Sequence, residues 1–278
     1  MDEDIFFCQK EHKMSIEEFI KFWDKSNFYS GTKIHNQDYD LLKDKLVENC
    51  HNFNDYIENY IDNPQDTKFH PDLWPSPYCG DLRNGEIFIL SLNPGFDCDY
   101  YYESVAEVNQ ALENNLSQKL DNEEYPFFVL NPRFSWIGGA KYWLKKLNPI
   151  IKNIQEKDNN LSYSDILLLL SKKIVALELV PYHSKIFKYS KYSELPSVKK
   201  MLSFLNEVII PGTKEGKYTL IILRKGKDLQ EKNLIPKQAN ENFIIYKGMN
   251  CLSASLGEDS NGGSAILKRL LNGYGEMQ

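Results

Sequence analysis

Five short apolar runs constrain this chain more than any other feature. They lie at 87–92, 127–130, 174–180, 218–223 and 243–246, and each is four to seven residues long. Helical patterns separate them near 103–119, 139–155, 162–172 and 197–210. Strands that are apolar on both faces and alternate with helices predict a mostly parallel sheet covered on both sides. The expected class is α/β: a three-layer α/β/α sandwich with a central sheet of four or five strands. In such sheets ligands bind beyond the carboxyl ends of the strands, so those ends are where chemistry is expected.

An N-terminal helical extension precedes this region. Ser15-Ile16-Glu17-Glu18 is a capping box, with the Ser15 hydroxyl accepting from the Glu18 N–H and the Glu18 side chain reaching back. Behind it Phe19, Ile20 and Trp23 fall at helical spacing. A second helix is predicted over 38–61, carrying Leu42, Leu46, Tyr56, Tyr60 and Ile61. Residues 1–66 hold 15 acidic side chains against 7 lysines and read as a separate acidic module. A proline-rich stretch, "DNPQDTKFHPDLWPSPYCGD", reads as its linker to the rest of the chain.

Composition excludes several classes. No apolar run approaches the roughly 20 residues that span a bilayer. The acidic start lacks the basic and long apolar regions of a signal peptide, so a cytoplasmic protein with no membrane partner is expected. Five scattered cysteines contain no C-x-x-C pair, and five dispersed histidines form no H-E-x-x-H. Neither a disulfide framework, a metal nor an organic cofactor is expected. No G-x-x-x-x-G-K-[ST] phosphate loop occurs. The net charge of −6 hides a basic stretch, 185–237, with 12 Lys and Arg against 5 acids. Such local positive potential suits either a solvated face or a nucleic-acid surface.

The strand ends carry the candidate residues. The first run stops at Asn93-Pro94-Gly95-Phe96-Asp97, where Pro94 biases Asn93 towards an extended backbone and Gly95 permits a tight turn. The third runs through Glu178 into Pro181-Tyr182-His183-Ser184. An acid among Ala176, Leu177, Leu179 and Val180 must find a partner or keep a proton. Arg224 and Lys225 follow the fourth run, Ser197 begins a helix whose N–H groups suit a phosphate, and a loop with Ser253 and Ser255 follows the fifth. An amide, an acid, an imidazole and positive charge are thus expected on one rim.

This pattern resembles the uracil-DNA glycosylase superfamily. Its single-strand-selective and mismatch-specific branches end their first strand in G-[MI]-N-P-G, which here reads Ser91-Leu92-Asn93-Pro94-Gly95. The resemblance implies that Asn93 orients the water attacking the sugar C1′. It aligns Leu177–Pro181 with an H-N-L-C-P-like base-reading segment, giving Glu178 the base-reading place. It aligns 250–256 with the family's minor-groove loop. Residues 67–278 would then form the glycosylase-like domain.

Two departures stand out. The final loop has no His, with His183 a candidate substitute, and Glu replaces the uracil-reading Asn. An ionised carboxylate only accepts, which suits an exocyclic amine such as cytosine N4. The expectation is therefore a DNA glycosylase, binding single- or double-stranded DNA, that releases a cytosine-type or modified base rather than plain uracil. A modified phage base, with the enzyme acting in defence, fits this logic. Asp97 and His183 are the candidate general bases; Phe96, Tyr101, Phe128, Phe134 and Trp136 are candidate stacking rings, Phe96 and Phe134 being favoured. Competing readings are a glycosylase-like fold that binds nucleic acid or nucleotide without chemistry, and an interaction protein acting through its acidic helices.

Overall fold

The computed structural model describes residues 13–62, 66–101, 106–246, 256–257 and 259–274. Its centre is a five-stranded sheet of β1 (Tyr78–Cys79), β2 (Ile87–Ser91), β3 (Ile174–Glu178), β4 (Thr219–Ile222) and β5 (Phe243–Ile245), in the order β1-β3-β2-β4-β5. All neighbours are parallel except β1, which runs antiparallel to β3. The β2–β3 register places Ile87 beside Ile174 and Ser91 beside Glu178.

The helices are α1 (Ile16–Phe22), α2 (Asn36–Leu42), α3 (Phe53–Asn59), α4 (Ala106–Leu116), α5 (Gly138–Lys157), α6 (Tyr163–Lys173), α7 (Pro196–Phe204), α8 (Ile210–Lys214), α9 (Gly226–Glu231) and α10 (Asn261–Tyr274). Among the described residues none is long and apolar enough to cross a membrane. The capping box at Ser15 forms as expected, and Ser162 builds a second one with Asp165. Between α7 and α8 the helix widens into a π turn over Leu205–Ile209. Pro211, inside the continuing helix, supplies no N–H and crowds the carbonyl four residues earlier, which accounts for the wider turn.

Alternate strand residues enter two different cores. Phe88, Leu90, Val175, Leu177, Leu220 and Ile222 join one cluster; Ile87, Ile89, Ile174, Ala176 and Ile221 join the other. This period of two is what a sheet with both faces covered requires.

Three expectations need correction. The run 127–130 is a 3₁₀ turn at Phe128–Leu130, not a strand. A four-residue apolar run does not distinguish a strand from a buried turn by periodicity. Here the Phe127 N–H is taken by the Ser171 hydroxyl and the Pro126 carbonyl by Asn115, so no sheet partner is needed. The helix expected over 38–61 is broken: α2 stops at Leu42, Asn49 takes a left-handed backbone, and Asn52 caps α3. Among the described residues before 67 no apolar cluster is confined to that segment: Val47, Cys50 and Tyr56 pack with Leu73 and Tyr101. Phe19, Trp23, Ile34, Leu42 and Leu46 belong to the cluster that also holds Phe88 and Leu220.

Candidate functional site

The carboxyl ends of the three central strands open into a cavity of about 540 Å³. On the face carrying Ile87, Ile89, Ile174 and Ala176, the next residues in alternation are Ser91 and Glu178. The apolar face therefore turns polar at its last register position, and both side chains line the cavity. The ladder continues past them, with the Leu179 and Val180 N–H groups donating to Ser91 and Leu92 carbonyls. Glu178 thus stands on backbone fixed from both sides.

Glu178 is only 8% exposed, and its Oε2 is buried with no hydrogen-bond partner. Burial pushes its carboxyl well above the ordinary range, partly opposed by the positive charge of Arg224, which lines the same cavity. A buried polar atom without a partner is costly, so a neutral acid facing an open cavity is the arrangement of a group that awaits a ligand. Tyr142, from the first turns of α5, lines the same cavity. Partial desolvation of its ring, 42% exposed, is the largest cause that pushes its phenol up to about 12.

Asn93 stands two residues past the end of β2. Its Nδ2 donates to the Ser184 hydroxyl at 3.2 Å, while its side-chain carbonyl has no partner among the described residues. Gly95 takes φ of 69°, the left-handed turn that lets the chain bend back at this point. The Gly95 carbonyl faces His183 Nδ1 at 2.9 Å, so the post-β3 segment holds the post-β2 turn in place. Asp97 lines the cavity against Gly138 at the start of α5, where helix N–H groups favour a carboxylate. Phe96 also lines it, stacked on His70 with ring centroids 4.0 Å apart and planes 4° from parallel.

The cavity brings together Asn93, Asp97, Glu178, Phe96 and Arg224. It leaves out others. His183 is not a base facing the cavity: it is buried, with Nδ1 against Gly95 O and Nε2 against Trp74 O at 3.0 Å. Burial lowers its pKa to about 4, so at neutral pH the uncharged ring has one N–H to donate, to either the Gly95 or the Trp74 carbonyl, and sits between two loops. Phe134 is a core residue packed on Phe128, and of these two rings Phe128 reaches the cavity wall. Trp136 and Tyr101 are likewise absent from the lining. Ser197 is buried, and its N–H donates to Asp38 Oδ1 at 3.1 Å. The anion at the start of α7 is therefore the chain's own carboxylate, which corrects the expected phosphate contact. Lys225 is exposed outside the cavity, with its ammonium 5.7 Å from the Tyr192 ring centre. Ser253 and Ser255 lie outside the described residues.

Sequence reasoning gave no role to Ser91, Tyr142 or Ser184. Ser91 had a signal, the alternation of its strand; Tyr142 had none, since its helix neighbours Trp143 and Leu147 are core. Among the described residues the group best placed for a metal ion is Asp97, Cys98 and Asp99, whose ligand atoms lie within 4.8 Å of one another. Burial and the two carboxylates keep the Cys98 thiol protonated, and Lys141 stands 3.7 Å from Asp99. That is a poor donor set for a thiophilic ion. Comparison with protein-family models, with curated proteins and with solved structures finds no match to this chain.

Proposed function

We propose that this chain is a DNA glycosylase, built as a three-layer α/β/α sandwich, that hydrolyses the N-glycosidic bond of a flipped-out cytosine-type or modified base. The observation that carries the reading is the placement of Asn93. One of its amide N–H groups goes to Ser184, and its carbonyl is left to hold a water in the same cavity as the unpartnered Glu178. The extruded base would lie against Phe96, with its polar edge towards Glu178. As the C1′–N bond breaks, the sugar gains oxocarbenium character. The water held by Asn93 adds to C1′ and loses its proton to Asp97, the carboxylate on the same wall. Arg224, and Lys225 outside the cavity, supply positive charge for the backbone phosphates.

The test is a panel of oligonucleotides bearing U, C, 5-hydroxymethyl-C or glucosylated C, scored for abasic sites. Release of a cytosine-type base is expected; release of uracil alone would overturn the substrate reading. Asn93→Ala should lower the rate by about 10²-fold or more while leaving DNA binding intact, the size expected when a positioned water is lost.

A second reading is favoured by one observation. Among the described residues no histidine lines the cavity, and both ring nitrogens of His183 face backbone carbonyls. A fold that binds a nucleobase without cleaving it would then bind the same oligonucleotides and form no abasic sites.

A further inference from the structure

The notable fact about Glu178 is its two-sided situation. Glu178 lines the cavity with Oε2 buried and unpartnered, so turning the carboxyl about its terminal bond is needed to present both oxygens; Arg224 lines the same space and acts on it at longer range than an ion pair. Burial favours the protonated form of this carboxyl, and a protonated carboxyl is a donor and an acceptor at once, not the acceptor-only group that an ionised glutamate would be. The other titratable groups that face it are Tyr142 on α5, Tyr100 after β2 and Cys79 on β1. Burial raises all three, so none carries charge near neutral pH, and none can take the proton from Glu178.

Resting on the glycosylase reading, we propose that Glu178 donates its carboxyl proton to a ring nitrogen of the bound base while its other oxygen accepts from the adjacent exocyclic amine. The ligand class is a base with an amidine edge, as in cytosine. On such an edge the proton can pass fully to the ring nitrogen, giving a carboxylate–amidinium pair with two charge-assisted hydrogen bonds. The carboxylate left behind gains the positive field of Arg224. A uracil edge offers a carbonyl oxygen and an N–H in place of this pair. It can exchange hydrogen bonds with a neutral acid, but its oxygen is too weakly basic to take the proton.

The transfer also balances the cleavage. The electron pair of the breaking C1′–N1 bond goes to the base, the Glu178 proton already on N3 leaves with it, and the base departs uncharged. The oxygen of the added water stays on C1′, its proton passes to Asp97, and solvent restores the proton to Glu178 after the base has gone.

The experiment uses free bases and the full chain. Cytosine labelled with ¹⁵N at N3 is titrated into the wild type and Glu178→Gln, with uracil as comparison, between pH 6 and 9. In the wild type the N3 resonance should move to the protonated position, and cytosine should bind at least about tenfold tighter than uracil, the effect of one charge-assisted hydrogen bond. That preference should fade as pH rises. In Glu178→Gln the N3 shift should vanish and the two affinities should come within about threefold of each other. A bound N3 that stays unprotonated, or an unchanged preference in the variant, overturns the assignment. Should the variant fail to fold, the wild-type N3 signal alone decides. A protonated N3 with no abasic sites on any oligonucleotide would retain this role for Glu178 and overturn the glycosylase reading. Abasic sites with an unprotonated N3 would do the reverse.

Discussion

Two buried titratable groups give the protein opposite pH responses, and each can be isolated by one substitution. Glu178 keeps its proton in the fold and loses it in the unfolded chain near the ordinary value of 4.5. Its contribution is therefore fully present below that value and is lost as pH rises towards the raised folded value, at about 1.4 kcal/mol per pH unit. Glu178→Gln should be relatively more stable than the wild type above pH 5, with the gap widening until the folded carboxyl ionises. His183 runs the other way, because its folded pKa is depressed from 6.5 to about 4. Its contribution is complete above 6.5 and is lost as pH falls to 4, in total about 3 kcal/mol. Urea unfolding of the wild type and both variants, including His183→Gln, from pH 4 to 8 measures both slopes. A parallel set of curves would contradict them. Glu178 was legible in the sequence because an acid in an apolar strand demands explanation. The burial of His183 away from the cavity lining was not, because the two carbonyls beside its ring nitrogens belong to loops distant in the chain, at Trp74 and Gly95.

At the scale of elements, two glycines separate backbone freedom from packing. Gly95 needs φ of 69°, yet nothing lies within 4 Å of where its Cβ would stand. Gly95→Ala should cost about 1 kcal/mol of stability through backbone strain alone. Gly138 begins α5 with an ordinary backbone, but a Cβ there would lie 2.5 Å from Asp97 Oδ2 and 2.7 Å from its Cβ. Gly138→Ala should push Asp97 out of place, lowering base release while helical content holds. Thermal unfolding and initial rates on the same preparations distinguish the two effects. Four of the five apolar runs became β2–β5, and α4 to α7 lie near the expected helices, because strands buried on both faces leave an unbroken apolar signal; β1, inside the expected linker, and α9 and α10 were not foreseen. The turn at Phe128–Leu130 was misread because its hydrogen bonds go to side chains, Ser171 and Asn115, which no periodicity announces. The break inside 38–61 had a visible cause in Asn49 and Asn52, residues that favour left-handed turns and caps.

For the whole molecule, the described residues of the acidic N-terminal region pack into the same fold. Tyr182 donates to Asp38 Oδ2 at 2.5 Å, and Tyr56 of α3 packs 5.0 Å from Phe96 at the cavity wall. A chain beginning at residue 67 should therefore lose cooperative unfolding and near-ultraviolet dichroism, instead of behaving as a trimmed but intact domain. A sharp transition in that fragment would refute this. The segment's acidity had suggested an appendage, because charge counts report on exposed faces and are silent about the Phe19, Trp23 and Leu42 side chains beneath them.

The sheet order has one more consequence. Asn93, Glu178 and Arg224 follow or end β2, β3 and β4, the three strands that have neighbours on both sides. Amide hydrogens there open only when the whole sheet does, so the cavity floor should be among the slowest regions to exchange with deuterium, with or without ligand. The molecule mounts its reactive groups on a rigid floor, and a ligand can order only the rim.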